Sequence, residues 1–205
     1  MKRITSIAAA ICLMASASAA QATTSIDFDT GTDNVAVGSF YAGQGITFSN
    51  ATFYDNFGLV GSSGTLAIGS TTSDPYHFGI ANAISAAFSG VASSITIRGI
   101  DVGNAGIQID AFDASNVLLG SSSFFGPGVG VGTFQDITVS FAGIKSFKLY
   151  QPSFNEVDGV LFDNLSFEST SGVPETATWA MMILGMGMIG GAMRRRNVKT
   201  SVRFA

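Results

Sequence analysis

Cysteine is all but missing from this 205-residue chain, and the one that occurs, Cys12, stands near the N-terminus. Beyond it there is no thiol, hence no disulfide and no cysteine nucleophile. A domain of about 150 residues buries enough core to do without such staples. Histidine occurs once, as His77, so neither a two-histidine metal site nor a histidine-rich zinc site can be assembled. Tryptophan also occurs once, at Trp179, which leaves the preceding chain without an indole platform for sugars. Charged residues make up only 12%. Between residues 23 and 172, Arg98, Lys145 and Lys148 stand against thirteen carboxylates, a balance of −10. So acidic a surface repels phosphate backbones, which argues against nucleic acid as a partner. No internal repeat and no compositional break divides residues 23–170, so one domain of ordinary size is expected.

Cations gather instead at the two ends, beside apolar stretches. Lys2 and Arg3 precede the apolar run Ile4 to Met14, and the small residues Ala15 to Ala22 follow with A-x-A sites such as Ala20-Gln21-Ala22. Charge, apolar run and small residues, in that order, make a secretory signal peptide. Residues 1–22 are therefore expected to direct export through the Sec machinery, with signal peptidase cutting after Ala22.

Between Thr23 and Gly172, short segments alternate apolar and polar residues and are separated by Gly, Ser, Asn and Asp clusters, the pattern of half-buried strands. Ile26 and Phe28 share a face in SIDFD, as do Ile46 and Phe48 in GITFSN, Ile95 and Ile97 in SSITIRGI, and Ile107 and Ile109 in GIQIDAFD. Ile137, Val139 and Phe141 align in QDITVSF, and IKSFKLY and VLFDNLSF follow. Val, Ile, Thr, Phe and Tyr suit a pleated surface packed on one side, while Gly and Ser serve the turns. The spacing predicts eight to ten strands in an all-β, antiparallel β-sandwich of jelly-roll type. The stretch Ser121 to Phe134, SSSFFGPGVGVGTF, is glycine-rich and reads as a long exposed loop or hairpin.

The C-terminus runs VPETATWAMMILGMGMIGGAMRRR, Val173 to Arg196. Residues 177–193 carry no charge, and as a helix they would measure about 25 Å, just enough against a hydrocarbon core of about 30 Å. Trp179 falls at the water–lipid boundary of such a span, and Arg194, Arg195 and Arg196 form its cytoplasm-retained flank. The sandwich would then lie on the far side of the membrane, with residues 198–205 as a cytoplasmic tail. Gly185-x-Gly187-x-x-Gly190 matches a dinucleotide fingerprint as a string, yet it lacks the preceding strand, the βαβ unit and the later acidic residue. Gly187-x-x-x-Gly191 suits a helix–helix contact instead.

The ordered parts of this tail, Val173-Pro174-Glu175, Trp179-Ala180, a Gly-rich apolar helix and Arg194 to Arg196, resemble the PEP-CTERM sorting signal in its Pro-Glu-Pro-x-x-Trp-Ala variety. The resemblance covers about residues 171–197, with Thr176 where the family has its second proline. It implies recognition by exosortase, a membrane-embedded cysteine transpeptidase, and delivery to the cell surface or the exopolysaccharide matrix of a Gram-negative bacterium. If Thr176 impairs recognition, the chain stays anchored in the inner membrane, facing the periplasm. Pro174 disfavours regular structure ahead of the helix, leaving an extended segment for an enzyme to grip.

Chemistry in the sandwich is harder to find. His77 has Asp74 nearby in sequence, but no G-x-S-x-G elbow or strand–helix alternation accompanies them. Two carboxylates suffice for glycoside hydrolysis, and an acidic domain could supply them. Tyr41, Tyr54, Tyr76 and Tyr150 are candidate sugar-stacking residues, against the ordinary use of Tyr in a β core. In GVLFDNLSFE, Asp163 falls in one row with Leu161, Leu165 and Phe167, so its carboxylate must be paired, protonated, metal-bound or displaced by a bulge. This last strand and the opening IDFDTGTDN resemble the final and first strands of galactose-binding-like jelly rolls, whose termini lie side by side. That resemblance would bring Asp27, Asp29, Asp33 and Asp163 to one structural Ca2+ site, against the plainer reading of solvated loop carboxylates. No other cofactor is expected. The sequence thus reads as an exported, noncatalytic structural or adhesive protein, with a polysaccharide-binding, lectin-like module and a secreted glycan-active enzyme as the rival readings.

Overall fold

The computed structural model describes residues 21–128, 132–153, 158–170 and 182–190. Gln21–Ser171 is one compact unit. Its described residues form nine strands: β1 (Gln21–Ile26), β2 (Ile46–Ser49), β3 (Ala51–Asp55), β4 (Leu66–Ser70), β5 (Ile84–Ile100), β6 (Ile107–Phe112), β7 (Leu118–Phe124), β8 (Phe134–Tyr150) and β9 (Leu161–Thr170). Every pairing is antiparallel. Two short 3-10 turns, Ala42–Gln44 and Ile80–Asn82, are the helical elements described within this unit.

Two long strands organise the sandwich. The first part of β5, from Ile84, pairs with β2 and with the end of β8, and β6 and β7 extend that layer. The second part of β5, up to Ile100, pairs with the start of β8 and with β9, beside which lie β1 and the β4–β3 hairpin. The β5–β8 register slips between Ala87 and Ser94, where β5 passes from one layer to the other. Strands that change layers at such irregularities form the corners of a β-sandwich. β1 and β9 pair along their lengths, so the two ends of the unit lie side by side.

One core fills the space between the layers. Ile84, Phe88, Ile107, Ile109, Phe147 and Leu149 come from one layer and Ile26, Ile68, Ile95, Ile97, Ile137 and Phe167 from the other. Phe88 meets Phe167 at 4.9 Å between ring centroids, and Phe28 meets Phe48 edge-on at 5.9 Å, so aromatic pairs tie the layers together. Phe28 holds φ at 62° while fully buried, a left-handed backbone imposed on a bulky residue by its place in this cluster.

The expected loop from Ser121 to Phe134 is shorter than the composition implied. Ser121 to Phe124 belong to β7, and Phe134 opens β8. Serine is tolerated there because β7 is paired with β6, and the Ser121 hydroxyl donates to Asp110 Oδ1 at 2.6 Å.

The second unit comprises Met1–Ala20 and Gly172–Ala205. Its described part is a helix at 182–190, with Ile183, Leu184, Met186, Met188 and Ile189 exposed. Among the described residues no helix is long and apolar enough to cross a membrane. The expected span at 177–193 extends beyond the described residues at both ends, and Val173, Pro174, Glu175, Trp179, Ala180, Arg194, Arg195 and Arg196 all lie outside them. So do residues 1–20 of the expected signal peptide, while Gln21 and Ala22 form the start of β1.

Candidate functional site

Asp163 shows how the sequence pattern was broken. Arg98 of β5 pairs with Asp163 of β9, but Thr96 pairs with Ser166, so β9 carries one residue more than its neighbour. The extra residue is accommodated at Asn164, whose φ is 49°, a conformation that asparagine tolerates better than most residues. The bulge reverses the alternation. Phe162, Leu165 and Phe167 face the main core, whereas Leu161 joins Ala67 and Ile100 in a second cluster beneath Tyr54, Leu59 and Tyr76. Asp163 is fully buried all the same. Its Oδ2 accepts from the Ser63 amide at 2.6 Å, the Ser63 hydroxyl donates to both oxygens at 3.1 Å, and the Asn164 amide donates to Oδ1 at 2.7 Å. Burial pushes this carboxyl above the usual range, against the pull of those donors.

The partner of Asp163 is the loop joining β3 to β4, and polar side chains hold that loop from several directions. Asn56, fully buried, donates through Nδ2 to the carbonyls of Ser63 and Gly64 and accepts the Gly58 amide on Oδ1. Asp29 Oδ1 accepts the amides of Thr65 at 2.6 Å and Leu66 at 3.0 Å. Arg98 donates to the Gly61 carbonyl at 3.1 Å while forming a two-point pair with Asp136 at 2.6 and 2.9 Å. Gly61 and Gly64 have φ of 91° and 45°. A Cβ at Gly61 would stand 2.2 Å from the Phe134 ring, and one at Gly64 would stand 2.0 Å from Asp29 Oδ2, so glycine is required twice over.

Each carboxylate of the expected Ca2+ site accepts hydrogen bonds from the chain itself. Asp29 and Asp163 are occupied with amides and a hydroxyl of one loop, and Asp27 Oδ1 accepts the Asp29 amide at 3.2 Å. Asp33 turns instead to the Asp55 amide at 3.1 Å and to Asn34 at 2.7 Å. Among the described residues, no group of three or more His, Cys, Asp or Glu side chains is placed to hold a metal. These carboxylates cap the loops by accepting backbone N–H donors.

The fastened loop presents Phe57, 70% exposed, to solvent. Phe57, Tyr76, His77, Asp101, Gly159 and Leu161 line a cleft of about 320 Å³. A second groove of about 380 Å³ shares Phe57 and Tyr76 as a wall and adds Asp33, Tyr54, Asp55, Thr72 and Ser73. Tyr54 and Tyr76 lie 5.8 Å apart at a 55° tilt. Of the four candidate stacking tyrosines, these two reach the surface. Tyr41 is buried in the core, and Tyr150 is buried against Asp110, to which its hydroxyl donates at 2.9 Å. Burial and that bond push the Tyr150 hydroxyl up to about 12.

Backbone bonds fix the walls. The Val160 amide donates to the Tyr76 carbonyl at 2.9 Å and the Ser70 amide to the Pro75 carbonyl at 3.0 Å. His77 Nδ1 lies 2.8 Å from Asp74 Oδ1. Burial raises the Asp74 carboxyl, but the hydrogen bond and charge of His77 outweigh it and hold the group below the usual range. His77 Nε2 faces Gly159, and among the described residues no hydroxyl is hydrogen-bonded to it, so a Ser-His-Asp relay is not assembled. Asp101, at the end of β5, has φ of 60°, and its buried Oδ1 has no hydrogen-bond partner among the described residues. Burial first and Asp158 second raise its carboxyl above the usual range. Asp158 itself is buried and accepts the Ala105 amide at 2.8 Å.

Little in the sequence announces this cleft. Its one local signal was the cluster of turn residues in DNFGLVGSSG, Asp55 to Gly64, where Asx turns and glycines alternate.

No protein-family model and no curated protein matches the chain. Among solved structures, the chain is similar to the K2 cleaved adhesin domain of Lys-gingipain, at 12% identity, covering 71% of this chain and 99% of that one, with a TM-score of 0.47. It is also similar to CsCBM6-3 from Clostridium stercorarium in complex with cellobiose, at 20% identity over 72% and 94% of the two chains, TM-score 0.37. A third is the CBM22-1-CBM22-2 tandem domain of Paenibacillus barcinonensis Xyn10C, at 14% identity over 79% and 49%, TM-score 0.39.

Proposed function

We propose that this chain is an exported, noncatalytic binding module of adhesive character, which engages extracellular polysaccharide through the cleft beside the β3–β4 loop. One observation carries the reading. Phe57 and Asp101 both hold left-handed backbone, at φ of 52° and 60°, and both line the same cleft. Such conformations cost of order 1–3 kcal/mol each and gather where a site needs a side chain held in place. Here they hold an exposed aromatic ring and a carboxylate at one opening, which is the equipment for stacking a sugar ring and accepting its hydroxyls.

The carboxylates of this cleft support the noncatalytic reading. Asp101 lines the cleft, whereas Asp158 is buried behind it and committed to the Ala105 amide. Glycoside hydrolysis requires two carboxyl groups flanking the bond to be cleaved, both reaching substrate. The galactose-binding-like jelly roll belongs to the same reading, supported by β1 lying beside β9. Sorting by exosortase rests on the tail pattern from Val173 to Arg196, and export on the ordered N-terminal segment.

The test is a polysaccharide panel with two readouts, retention on immobilised glycan and release of reducing sugar. Retention that weakens in Tyr76→Ala, with no sugar released, is expected. Released sugar overturns the noncatalytic reading, and no retention on any glycan overturns the binding role. Intact mass of the protein from exosortase-bearing cells should show loss of the residues after the Pro-Glu motif; an uncut tail would leave a plain anchor.

A further inference from the structure

Resting on that binding role, we propose that the cleft selects glycans carrying free, protonated amino groups over neutral or N-acylated ones. The distribution of charge is the first reason. Asp101 lines one groove, Asp33 and Asp55 line the other, and Asp74 stands beside His77; among the described residues no Lys or Arg lines either. His77 is the one cationic candidate among the lining residues, and its Nδ1 is engaged with Asp74. With only three cations in the whole domain, the potential over this surface is negative and favours a cationic ligand.

The second reason is local. Asp101 carries a buried oxygen without a hydrogen-bond partner among the described residues, and burial first and the carboxylate of Asp158 second disfavour its ionised form. A neutral hydroxyl supplies only a hydrogen bond to this group. An ammonium supplies both hydrogen bond and charge. The third reason is the aromatic wall. Phe57 and Tyr76 separate the two grooves, and Tyr54 stands 5.8 Å from Tyr76 in the second. Ring faces attract ammonium groups as well as the apolar face of a sugar. Each groove therefore combines an aromatic ring with a carboxylate, and the pair suits consecutive residues of a polymer with an amine on each. Ser73 adds a hydroxyl for ring substituents in the second groove, beside Thr72, whose own hydroxyl donates to the Asp74 carbonyl at 2.6 Å; an extended lysine side chain would leave that provision unused.

The test compares a glucosamine tetramer with its N-acetylated counterpart, binding to the intact protein in mild detergent, with polylysine and CaCl2 as further probes. The free-amine tetramer should bind at least tenfold more tightly than the acetylated one, and Asp101→Asn should erase most of that preference. Asparagine accepts left-handed backbone as readily as aspartate, so the variant keeps the fold. Phe57→Ala, at a site that is 70% exposed, provides a second variant and should weaken both tetramers. Equal binding of the two tetramers overturns the amine selectivity while leaving the glycan role intact. Polylysine binding that is tighter than the tetramer and abolished by Asp101→Asn would make this a basic-polypeptide site, and displacement of the tetramer by millimolar CaCl2 alone would make it a cation site. No binding of any glycan would defeat the binding role itself.

Discussion

Replacing Asp163 by alanine should unfasten the β3–β4 loop and test the hydrogen-bonded account of this buried carboxylate. The change orphans the amides of Ser63 and Asn164, which now donate at 2.6 and 2.7 Å. Each buried donor left unpaired costs about 1–3 kcal/mol. The Ser63 hydroxyl can rotate toward the Asp27 carbonyl, already 3.4 Å away, and so adds little. Relief of the buried charge offsets part of the loss, leaving a net destabilisation of about 3 kcal/mol. Against a total of about 5–15 kcal/mol this is readily measured, and for a domain of this size it lowers Tm by about 6–12 °C. Asp163→Asn retains one acceptor oxygen and should cost about 1 kcal/mol less. Urea denaturation of both variants, with hydrogen exchange at the amides of residues 57–65, gives the global and local readings together. A loss below about 1 kcal/mol in Asp163→Ala, or loop amides as protected as before, would refute the reasoning.

The same carboxyl sets a pH dependence: its folded value is raised, so the folded chain holds this proton more tightly than the unfolded chain. The stability it contributes is full below the unfolded value and falls as pH rises toward the raised folded value; Asp163→Asn should remove that slope from a urea titration series. Chelator should leave the melting temperature unchanged, because Asp29 and Asp163 are satisfied by amides; a fall of several degrees would show a bound cation instead. Gly64→Ala should cost more than Gly38→Ala in thermal melts, although both have positive φ of 45° and 47°. A Cβ at Gly38 meets nothing within 4 Å, which leaves about 1–2 kcal/mol of backbone strain, whereas one at Gly64 collides with Asp29. Equal losses would mean that Asp29 is free to move.

What could be read from the chain directly was set by periodicity. Alternation marked the strands around Ile26, Ile46, Ile95, Ile107 and Ile137, because a strand with one face in the core repeats every two residues. Aromatic and β-branched content pointed to the all-β class, and the resemblance of the opening and closing segments to galactose-binding-like jelly rolls implied first and last strands side by side, as β1 and β9 are. β4 escaped because all five of its residues are buried, which abolishes alternation. β7 escaped because glycine and three serines disguise an edge strand whose ladder is completed from one side.

The cleft was decided by tertiary structure alone. Asp163 shares a sequence row with Leu161, Leu165 and Phe167, and only the extra residue in β9 moves it from the core row to a place under the loop. Phe57, Tyr76 and Asp101 stand in separate loops, and no local spacing relates them. Sequence determines which residues prefer burial, since that follows from each side chain and its immediate neighbours; which polar groups meet is fixed by strand pairing and a bulge, through contacts that are distant along the chain.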